Sequence, residues 1–314
     1  MSELAPVIIV AGPTASGKSA LAIDLAETFG GCVINADSMQ VYTELRVLTA
    51  RPGADDEARA PHRLYGVLPA AESCSVGRWM EMAEAAIAEA RAEGLLPIVV
   101  GGTGMYLKAL TEGLAAVPSI PADVSDEARR LHKEIGGEEF RQRLAKLDPD
   151  AAERLPSGDS QRLIRAYEVI QATGRTLTEW RADGANTPAI AGRFVTIALI
   201  PPREDLYTKA EARFDAMMAI EVLEEVRAFN ALKLDPALPA AKALGVPEFT
   251  SYIGGELSLD EAVARTKQAT RNFAKRQLTW FRNQMQADLT LEASYDEQMT
   301  SQAKDFLRHA LAKD

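Results

Sequence analysis

The amino-acid sequence predicts an α/β protein in which a parallel sheet forms the core and a helical segment interrupts it. Three observations lead to this prediction. Short apolar runs alternate with helical stretches through the first third of the chain, which is typical of a parallel sheet wrapped by helices. A glycine-rich turn follows the first apolar run directly. A charged stretch with little strand character then separates this part from a later apolar run.

The strands predicted for the first third are short apolar runs, each followed by glycine or a polar residue. Continuous apolar runs of this length are typical of strands that a parallel sheet buries on both faces. Helices are predicted between them because apolar side chains recur at helical spacing, and glycines end both segments. In chain order, the elements are strand 7–10, helix 19–29, strand 32–36, helix 79–92 and strand 95–100.

Two prolines, Pro118 and Pro121, open a part of the chain with a different pattern. The residues that follow are charged and helical, and little of this part resembles a strand. We therefore predict a helical insertion over residues 118–187, with residues 1–117 and 188–314 forming one core. Helices are predicted at 126–147, 160–173, 209–229 and 258–286, and one further strand at 194–200.

The composition excludes several classes of protein. With 47% hydrophobic and 25% charged residues, the 314-residue chain can bury a core and is not disordered. It has no apolar run of about 18 residues, so no membrane span is predicted, and its first residues lack the positive region of a signal peptide. Cys32 and Cys74 form no C-x-x-C pair, and the histidines lack zinc-ligand spacing. We expect a cytoplasmic protein with reduced thiols.

The charge distribution is uneven. A net charge of −10 argues against a general nucleic-acid coat protein, but RNA binding depends on local patches and not on the sum. From Arg265 to Ala287 the chain carries six basic residues and no acidic one. Phe273, Trp280 and Phe281 lie among them. We expect these aromatic side chains to pack on the core and at least some of the charges to meet RNA.

The glycine-rich turn matches the phosphate-binding pattern G-x-x-x-x-G-K-[ST]. Its glycines let backbone N–H groups converge on phosphate oxygens, and the N-terminus of the following helix favours the same anion. Lys18 adds a positive charge, and the Ser19 hydroxyl is placed to bind Mg²⁺. The pattern predicts a P-loop NTPase-like core but leaves ATP, GTP or another diphosphate open. Its residues are Gly12, Pro13, Thr14, Ala15, Ser16, Gly17, Lys18 and Ser19.

Polar residues also follow the second and third predicted strands. Asp37 comes after the second strand, and Thr103 lies in a glycine-rich turn after the third. Because the carboxyl ends of parallel strands meet at one ligand crevice, both should lie near the phosphate loop. Asp37 could bind Mg²⁺, act as a general base, or cap a helix.

The ordered set of motifs resembles the bacterial tRNA dimethylallyltransferases. The resemblance runs over nearly the whole chain and is far more specific than a phosphate loop alone. It rests on Gly12–Ser19, on Asp37-Ser-Met-Gln-Val-Tyr42, on Val100-Gly-Gly-Thr-Gly-Met-Tyr-Leu-Lys-Ala-Leu110, on Asp159-Ser-Gln-Arg-Leu-Ile-Arg-Ala-Tyr-Glu-Val169 and on Thr270-Arg-Asn-Phe-Ala-Lys-Arg-Gln-Leu-Thr-Trp-Phe-Arg282.

The resemblance implies transfer of a dimethylallyl group from dimethylallyl diphosphate, with Mg²⁺, to N6 of the adenosine immediately 3′ of the anticodon. It implies Asp37 as the general base, Thr103 as a residue that helps hold the diphosphate or the adenine, and Arg213 as a diphosphate ligand. The helical insertion would grip the anticodon arm, and we expect a monomer. The residues implied to touch tRNA are Asp37, Ser38, Met39, Gln40, Thr103, Arg129, Gln161, Arg162, Leu163, Ile164 and Arg165.

Two alternatives use the same phosphate loop. A small-molecule kinase would transfer the γ-phosphoryl group of ATP, and a related isopentenyltransferase would act on free adenine nucleotides. A switch protein would need a guanine-reading N-K-x-D motif, which the sequence lacks. The chain also departs from the usual family residues at Leu48, Arg51, Arg63, Glu221 and Val246. These departures concern RNA contacts more than the phosphate loop.

Overall fold

The computed structural model describes residues 5–115, 117–183, 190–219 and 221–312. The chain divides into two compact units, of which the first comprises Met1–Thr111 with Ala189–Asp314 and the second Glu112–Pro188. Among the described residues, no helix is long and apolar enough to cross a membrane.

The first unit is built on a parallel sheet, which confirms the predicted α/β core. Its strands lie in the order β3-β2-β4-β1-β5-β6, so β1 is central between β4 and β5. Every residue of β1 is buried, as the continuous apolar run predicts. The strands are β1 (Val7–Ala11), β2 (Gly31–Asn35), β3 (His62–Arg63), β4 (Leu96–Gly101), β5 (Phe194–Leu199) and β6 (Leu289–Leu291).

Helices cover both faces of this sheet. In β1, Ile9 joins one apolar cluster and Ile8 the other, because successive side chains of a strand point to opposite faces. The helices before the second unit are α1 (Lys18–Phe29), α2 (Ala54–Arg59), α3 (Val76–Ala92) and α4 (Gly104–Glu112). Those of the second unit are α5 (Ala122–Ala145), α6 (Pro149–Arg154), α7 (Ser160–Thr173) and α8 (Leu177–Asp183). The later ones are α9 (Arg203–Met218), α10 (Val222–Ala231), α11 (Val246–Ile253), α12 (Leu259–Gln284) and α13 (Glu297–Leu311).

The prediction of one helix at residues 209–229 was wrong. The structure has two helices there, since α9 ends at Met218 and α10 begins at Val222. Each buries its own apolar residues, Phe214 on α9 and Val226 on α10, in a cluster with Phe249 of α11. The two short strands β3 and β6 were also missed, because runs of two and three residues carry no periodicity to detect.

The second unit is helical, with a core of its own. Phe140 and Leu144 of α5 pack against Leu163 and Tyr167 of α7. The helix α5 is interrupted at Gly136, whose φ of 79° only glycine adopts readily. Asp159 caps α7 by accepting a hydrogen bond from the backbone N–H of Arg162.

Candidate active site

The phosphate loop lies between β1 and α1, at the carboxyl edge of the sheet. Gly17 has a φ of 90°, and a Cβ added there would lie 2.2 Å from Cβ of Tyr295. A Cβ on Gly12 would lie 2.7 Å from the carbonyl oxygen of Leu199. Both glycines of the motif are therefore required by the local geometry, because a larger residue would push the loop off its neighbours.

Two side chains of the phosphate loop are available to bind an anion. The Ser16 hydroxyl is buried and has no hydrogen-bond partner among the described residues, so a phosphate oxygen could accept its proton. The Lys18 ammonium donates to the carbonyl oxygen of Pro13 at 3.3 Å. Burial lowers the pKa of Lys18 to about 8, and the nearby charge of Asp37 opposes this shift only in part. An arriving anion would supply the countercharge that this lysine lacks.

Arg213 brings a second cation from α9 to the same loop. Its Nη2 donates to Oγ1 of Thr14 at 2.7 Å. Desolvation lowers the pKa of Arg213, and the charge of Asp37 acts in the opposite direction. The residue itself is exposed, so it lies at the rim of the site, where a ligand's phosphate could reach it. Arg213 and Thr14 are 199 positions apart, so residue spacing alone could not predict this contact.

Asp37 follows β2 and is held in place by Asn35. The Asn35 side chain accepts from the Asp37 backbone N–H at 2.8 Å and donates to the Asp37 carbonyl oxygen at 3.0 Å. Oδ1 of Asp37 accepts from the Met39 backbone N–H at 2.9 Å, which closes a turn. The helix-cap alternative for Asp37 was wrong, because the next helix begins only at Ala54. Within the described part of the chain, no hydrogen bond engages Oδ2.

Thr103 joins the loop after β4 to the loop after β2. Its Oγ1 accepts from the Ser38 backbone N–H at 3.0 Å and lies 3.3 Å from Oγ of Ser38. The two loops approach closely because residue 101 is glycine, whose added Cβ would lie 2.1 Å from the Ala36 carbonyl oxygen. The structure thus places both predicted catalytic residues, Asp37 and Thr103, at one edge of the sheet, where the charge of Asp37 acts on Lys18.

The oxygen donors present at this edge suit Mg²⁺. Ser19 lies exposed in the first turn of α1, and its hydroxyl is a hard oxygen ligand of the kind that Mg²⁺ prefers. The Asp37 carboxylate is a second such ligand unless it serves as the base. In the ranges that the structure describes, no group of three or more His, Cys, Asp or Glu side chains could hold a metal. A Mg²⁺ ion here would therefore take most of its ligands from phosphate and water, as is usual for this ion.

Two residues on α12 complete the site: the sequence assigned no role to Gln277 and predicted only core packing for Trp280. Gln277 is buried; its Oε1 accepts from the Thr14 backbone N–H at 2.7 Å and its Nε2 donates to the Gly102 carbonyl oxygen at 2.8 Å. The Trp280 ring lies against Gly104, where an added Cβ would lie 2.4 Å from the ring. A polar residue on the buried stripe of α12, between Ala274 and Phe281, is the signal that could have indicated Gln277.

Comparisons with known proteins agree with this geometry. The IPP transferase family model matches residues 40–284. The chain belongs to the IPP transferase family. An isopentenyl transferase model also matches residues 5–68, which include the phosphate loop and Asp37. The family resemblance predicted from the motifs is thereby confirmed.

The relatives of this IPP transferase cover nearly its whole length. It is 53% identical to the tRNA dimethylallyltransferase of Rhodospirillum centenum (strain ATCC 51521 / SW), over 91% of both chains. It is also 53% identical to that of Paramagnetospirillum magneticum (strain ATCC 700264 / AMB-1), over 95% of this chain and 94% of the relative.

Solved structures share the fold of this IPP transferase. The tRNA isopentenylpyrophosphate transferase of Bacillus halodurans superposes with a TM-score of 0.71 at 29% identity, over 98% of this chain and 97% of that one. A eukaryotic dimethylallyltransferase acting on tRNA gives a TM-score of 0.83 at 26% identity, over 97% of this chain and 80% of that one. These likenesses support the predicted P-loop-like architecture.

The residues after Asp37 that the resemblance implies in tRNA binding are partly engaged within the protein. Nε2 of Gln40 donates to the carbonyl oxygens of Thr49 and Ala50 at 2.9 and 3.0 Å. Met39 is half-buried against the apolar core. Ser38 is fixed through Thr103. The side chains of Ser38, Met39 and Gln40 are therefore held in place beside Asp37.

In the second unit, the implied tRNA residues differ in exposure. Leu163 is fully buried in the unit's core, so any RNA contact at this position is limited to its backbone. Ile164 packs against the same core. The remaining residues, including Gln161, lie at the surface. The basic ones pair with acids on their own helix or at its cap, Arg129 with Asp126, Arg162 with Asp159 and Arg165 with Glu168.

The predicted packing of the α12 aromatics on the core is confirmed for Phe281 and Trp280, whereas Phe273 joins no apolar cluster among the described residues. Phe281 is buried, Trp280 packs on Gly104, and Phe273 is half-buried below the Arg276 guanidinium, 5.8 Å from the ring centre. Lys275 and Arg276 line an open depression of about 370 Å³ with Asn272 and Thr279. Other basic residues of this helix are paired, Lys267 with Asp215 and Arg271 with Glu211, while Arg265 and Arg282 are exposed.

Several departures from the usual family residues make structural contacts. Arg51 donates from Nη1 to the carbonyl oxygens of Tyr42 and Thr43 at 3.0 and 3.1 Å. Arg63 pairs with Glu89 and Glu93. Leu48 lies against Gly245, beside the buried Val246. These side chains stabilise the loops around the site and do not enter the phosphate cradle.

Proposed function

We propose that this protein transfers the dimethylallyl group of dimethylallyl diphosphate to N6 of the adenosine immediately 3′ of the anticodon in tRNA, releasing diphosphate. The observation that carries the proposal is the convergence of Lys18 and Asp37 at the carboxyl edge of the sheet. A phosphate cradle alone would serve a kinase equally well. A carboxylate beside it, with one oxygen unengaged, supplies the base that alkylation of an amine requires.

The protein's first task is to neutralise the leaving diphosphate. Lys18, the Arg213 guanidinium, the Ser16 hydroxyl and the N–H groups at the start of α1 are pre-placed donors for its oxygens. When bound, Mg²⁺ supplies further positive charge to the oxygens of the diphosphate. The Ser19 hydroxyl would hold it, and the Asp37 carboxylate stays free of the metal to act as the base. The C1–O bond of the donor breaks, and its electron pair leaves on the diphosphate oxygen.

The second task is to activate a weak nucleophile. The lone pair of adenine N6 is delocalised into the ring, so attack requires alignment with the allylic carbon, which can supply roughly 7–11 kcal/mol. As N6 forms its bond to C1, Oδ2 of Asp37 would accept the N6 proton. Thr103, fixed against Ser38, would position the base or the diphosphate next to Asp37. The adenosine must be splayed out of the anticodon loop, at a cost of a few kcal/mol.

tRNA binding would use the charged surfaces of both units. The exposed cations around the α12 depression, Lys275 and Arg276, offer contacts to phosphates without an acid beside them on that stretch of helix. In the second unit, Arg129, Gln161, Arg162 and Arg165 would bind the anticodon arm. The names of the relatives support tRNA over a free nucleotide as acceptor. We further propose that the protein acts as a monomer in the cytoplasm.

The test offers one labelled donor to competing acceptors. Dimethylallyl diphosphate labelled in the allyl group is incubated with the protein, Mg²⁺ and either unmodified tRNA, the same tRNA with guanosine 3′ of the anticodon, or AMP. Label on the first tRNA alone supports the proposal. Label on AMP alone would assign the protein to free nucleotides, and transfer from γ-labelled ATP to a small molecule, without prenyl transfer, would make it a kinase.

A further inference from the structure

Gln277 joins the two loops between which the diphosphate site is formed. Its Oε1 accepts from Thr14 of the phosphate loop, 263 residues away, and its Nε2 donates to Gly102 of the loop after β4, 175 residues away. We propose that Gln277 is a positioning residue that sets the phosphate loop at a defined distance from Thr103 and Asp37. The inference rests on the proposed diphosphate site.

Packing alone does not account for a glutamine at this position. Its neighbours on the buried stripe of α12 are apolar, namely Ala274, Leu278 and Phe281. A methionine would fill a similar volume without the cost of burying an amide. Both polar ends of the Gln277 side chain are satisfied, and both partners are backbone groups of site loops. The Gln277 amide therefore stabilises the two site loops rather than α12 itself.

The contact with Thr14 also selects which N–H groups remain for a ligand. Because the Thr14 N–H donates to Gln277, it is withdrawn from the anion. The N–H groups at the start of α1, beginning with Lys18, have no acceptor earlier in their own helix. Gln277 thus directs the diphosphate toward the helix N-terminus, where Lys18 and Ser19 lie, and away from the first half of the loop.

The hydrogen bond to Gly102 links the position of Gln277 to the loop that holds Thr103, and through it to Asp37. A Cβ on Gly102 would lie 2.4 Å from Nε2 of Gln277, so the backbone approaches the amide as closely as glycine permits. The adjacent Thr103 accepts from the Ser38 N–H, and Ser38 directly follows Asp37. A path of hydrogen bonds, with one peptide bond between Gly102 and Thr103, therefore runs from Thr14 through Gln277 to the loop that presents Asp37.

The experiment replaces the amide by groups of nearly the same size. Gln277→Glu keeps the acceptor for Thr14, but an ionised carboxylate cannot donate to Gly102 and places negative charge beneath the cradle. Gln277→Met removes both hydrogen bonds without adding charge. Gln302→Glu on the exposed face of α13 adds the same charge away from the site and is the matched control. Binding of magnesium pyrophosphate is measured by calorimetry, and kcat and KM are measured for both substrates.

We expect Gln277→Glu to weaken pyrophosphate binding about 10- to 100-fold at about pH 7, and Gln277→Met less. At about pH 5.5 the introduced carboxyl, whose pKa burial raises, becomes a donor again, and most of the affinity relative to wild type at the same pH should return. Both conditions lie below the pKa of about 8 for Lys18, so that lysine does not confuse the comparison. KM for the prenyl donor should rise while KM for tRNA stays within about twofold. A pyrophosphate affinity equal to wild type in Gln277→Met would overturn the proposal, because any loss in Gln277→Glu would then come from the added charge alone.

If either variant fails to fold, amide hydrogen exchange of the wild-type protein tests the role of Gln277 instead. Amide hydrogen exchange should be slow for Thr14 in the free protein and should not slow further with pyrophosphate, whereas the amides of Lys18 and Ser19 become protected only when it binds. Fast exchange at Thr14 would contradict the inference. Neither pyrophosphate binding nor exchange requires prenyl transfer, so failure of the proposed reaction would be recognised separately by the labelling assay.

Discussion

The edge of the sheet and the second, helical unit hold their polar side chains in opposite ways. At the sheet edge, side chains bond to backbone groups of loops far away in sequence, as Thr103 does with Ser38 and Gln277 with Thr14. In the second unit, cations pair with acids three positions away, as Arg129 does with Asp126. The first arrangement is pre-organised. The second consists of surface ion pairs worth about 0–1 kcal/mol each, which RNA phosphates could replace at little cost.

The largest expected effect of breaking the pre-organised edge comes from Asp37→Asn. This variant keeps the size and the turn to Met39 but cannot accept a proton, so kcat should fall by about 10²–10⁴-fold while pyrophosphate binding is retained. Rapid-quench measurement of single-turnover prenyl transfer checks this. Asp260→Asn, an exposed aspartate in the first turn of α12, is the control. A turnover rate close to wild type in Asp37→Asn would remove this residue as the base.

Lys18 gives the edge a characteristic pH dependence. Its pKa of about 8 in the free protein means that the cation is lost as pH rises through this value, so pyrophosphate affinity should fall by up to about tenfold for each further pH unit. Because the native state releases this proton before the unfolded state does, the Lys18 contribution to stability should rise between about pH 8 and its ordinary value of 10.5.

Lys18→Arg is the matched control for this prediction, since an arginine keeps its charge throughout this range. Calorimetric titration of both proteins with pyrophosphate from about pH 6.5 to about pH 9.5 separates the lysine from the titration of the ligand itself. Identical slopes in the two proteins would show that Lys18 stays protonated and would contradict the assignment.

The close approach of backbones at the sheet edge can be tested with a single methyl group. Gly101→Ala would place its Cβ 2.1 Å from the Ala36 carbonyl oxygen, and the strain should lower the free energy of unfolding by about 1–3 kcal/mol. Gly158→Ala in the second unit adds the same methyl group where no atom lies within 4 Å. Denaturant unfolding of both variants measures the difference, and equal stabilities would mean that the two strand-end loops are not in contact.

The smallest expected effects are those in the second unit. Arg129→Ala and Arg162→Ala should each weaken tRNA binding a few-fold and reduce the slope of log affinity against log salt by about 1, with stability changed by less than about 0.5 kcal/mol. Arg308→Ala removes the same kind of ion pair from α13 and is the control. Binding isotherms at several salt concentrations provide the measurement. A loss equal to that of the control would exclude these arginines from the tRNA surface.

The contrast between contacts that are distant in sequence and contacts that are local also explains which parts of the site the sequence could predict. The phosphate loop, Asp37 and Thr103 are local motifs at the ends of apolar runs, and parallel-sheet geometry is enough to bring them together. The pattern of α12 could indicate Gln277 as a buried polar residue, but the hydrogen-bond partners of Asn35 and Gln277 could not be predicted, because tertiary packing chooses them. The division between α9 and α10 was missed for a related reason, since both halves have helical patterns and only packing against α11 separates them.

The contact of Tyr295 with Gly17 has a consequence for synthesis of the chain on the ribosome. The phosphate motif is translated well before Gln277 and Tyr295, which contact it from 263 or more residues further along the chain. Tyr295 also donates to Asp24 of α1, so the start of that helix and its first two turns are held by a segment that is translated later. Nascent chains should therefore bind pyrophosphate only after residues 277–295 have left the ribosome.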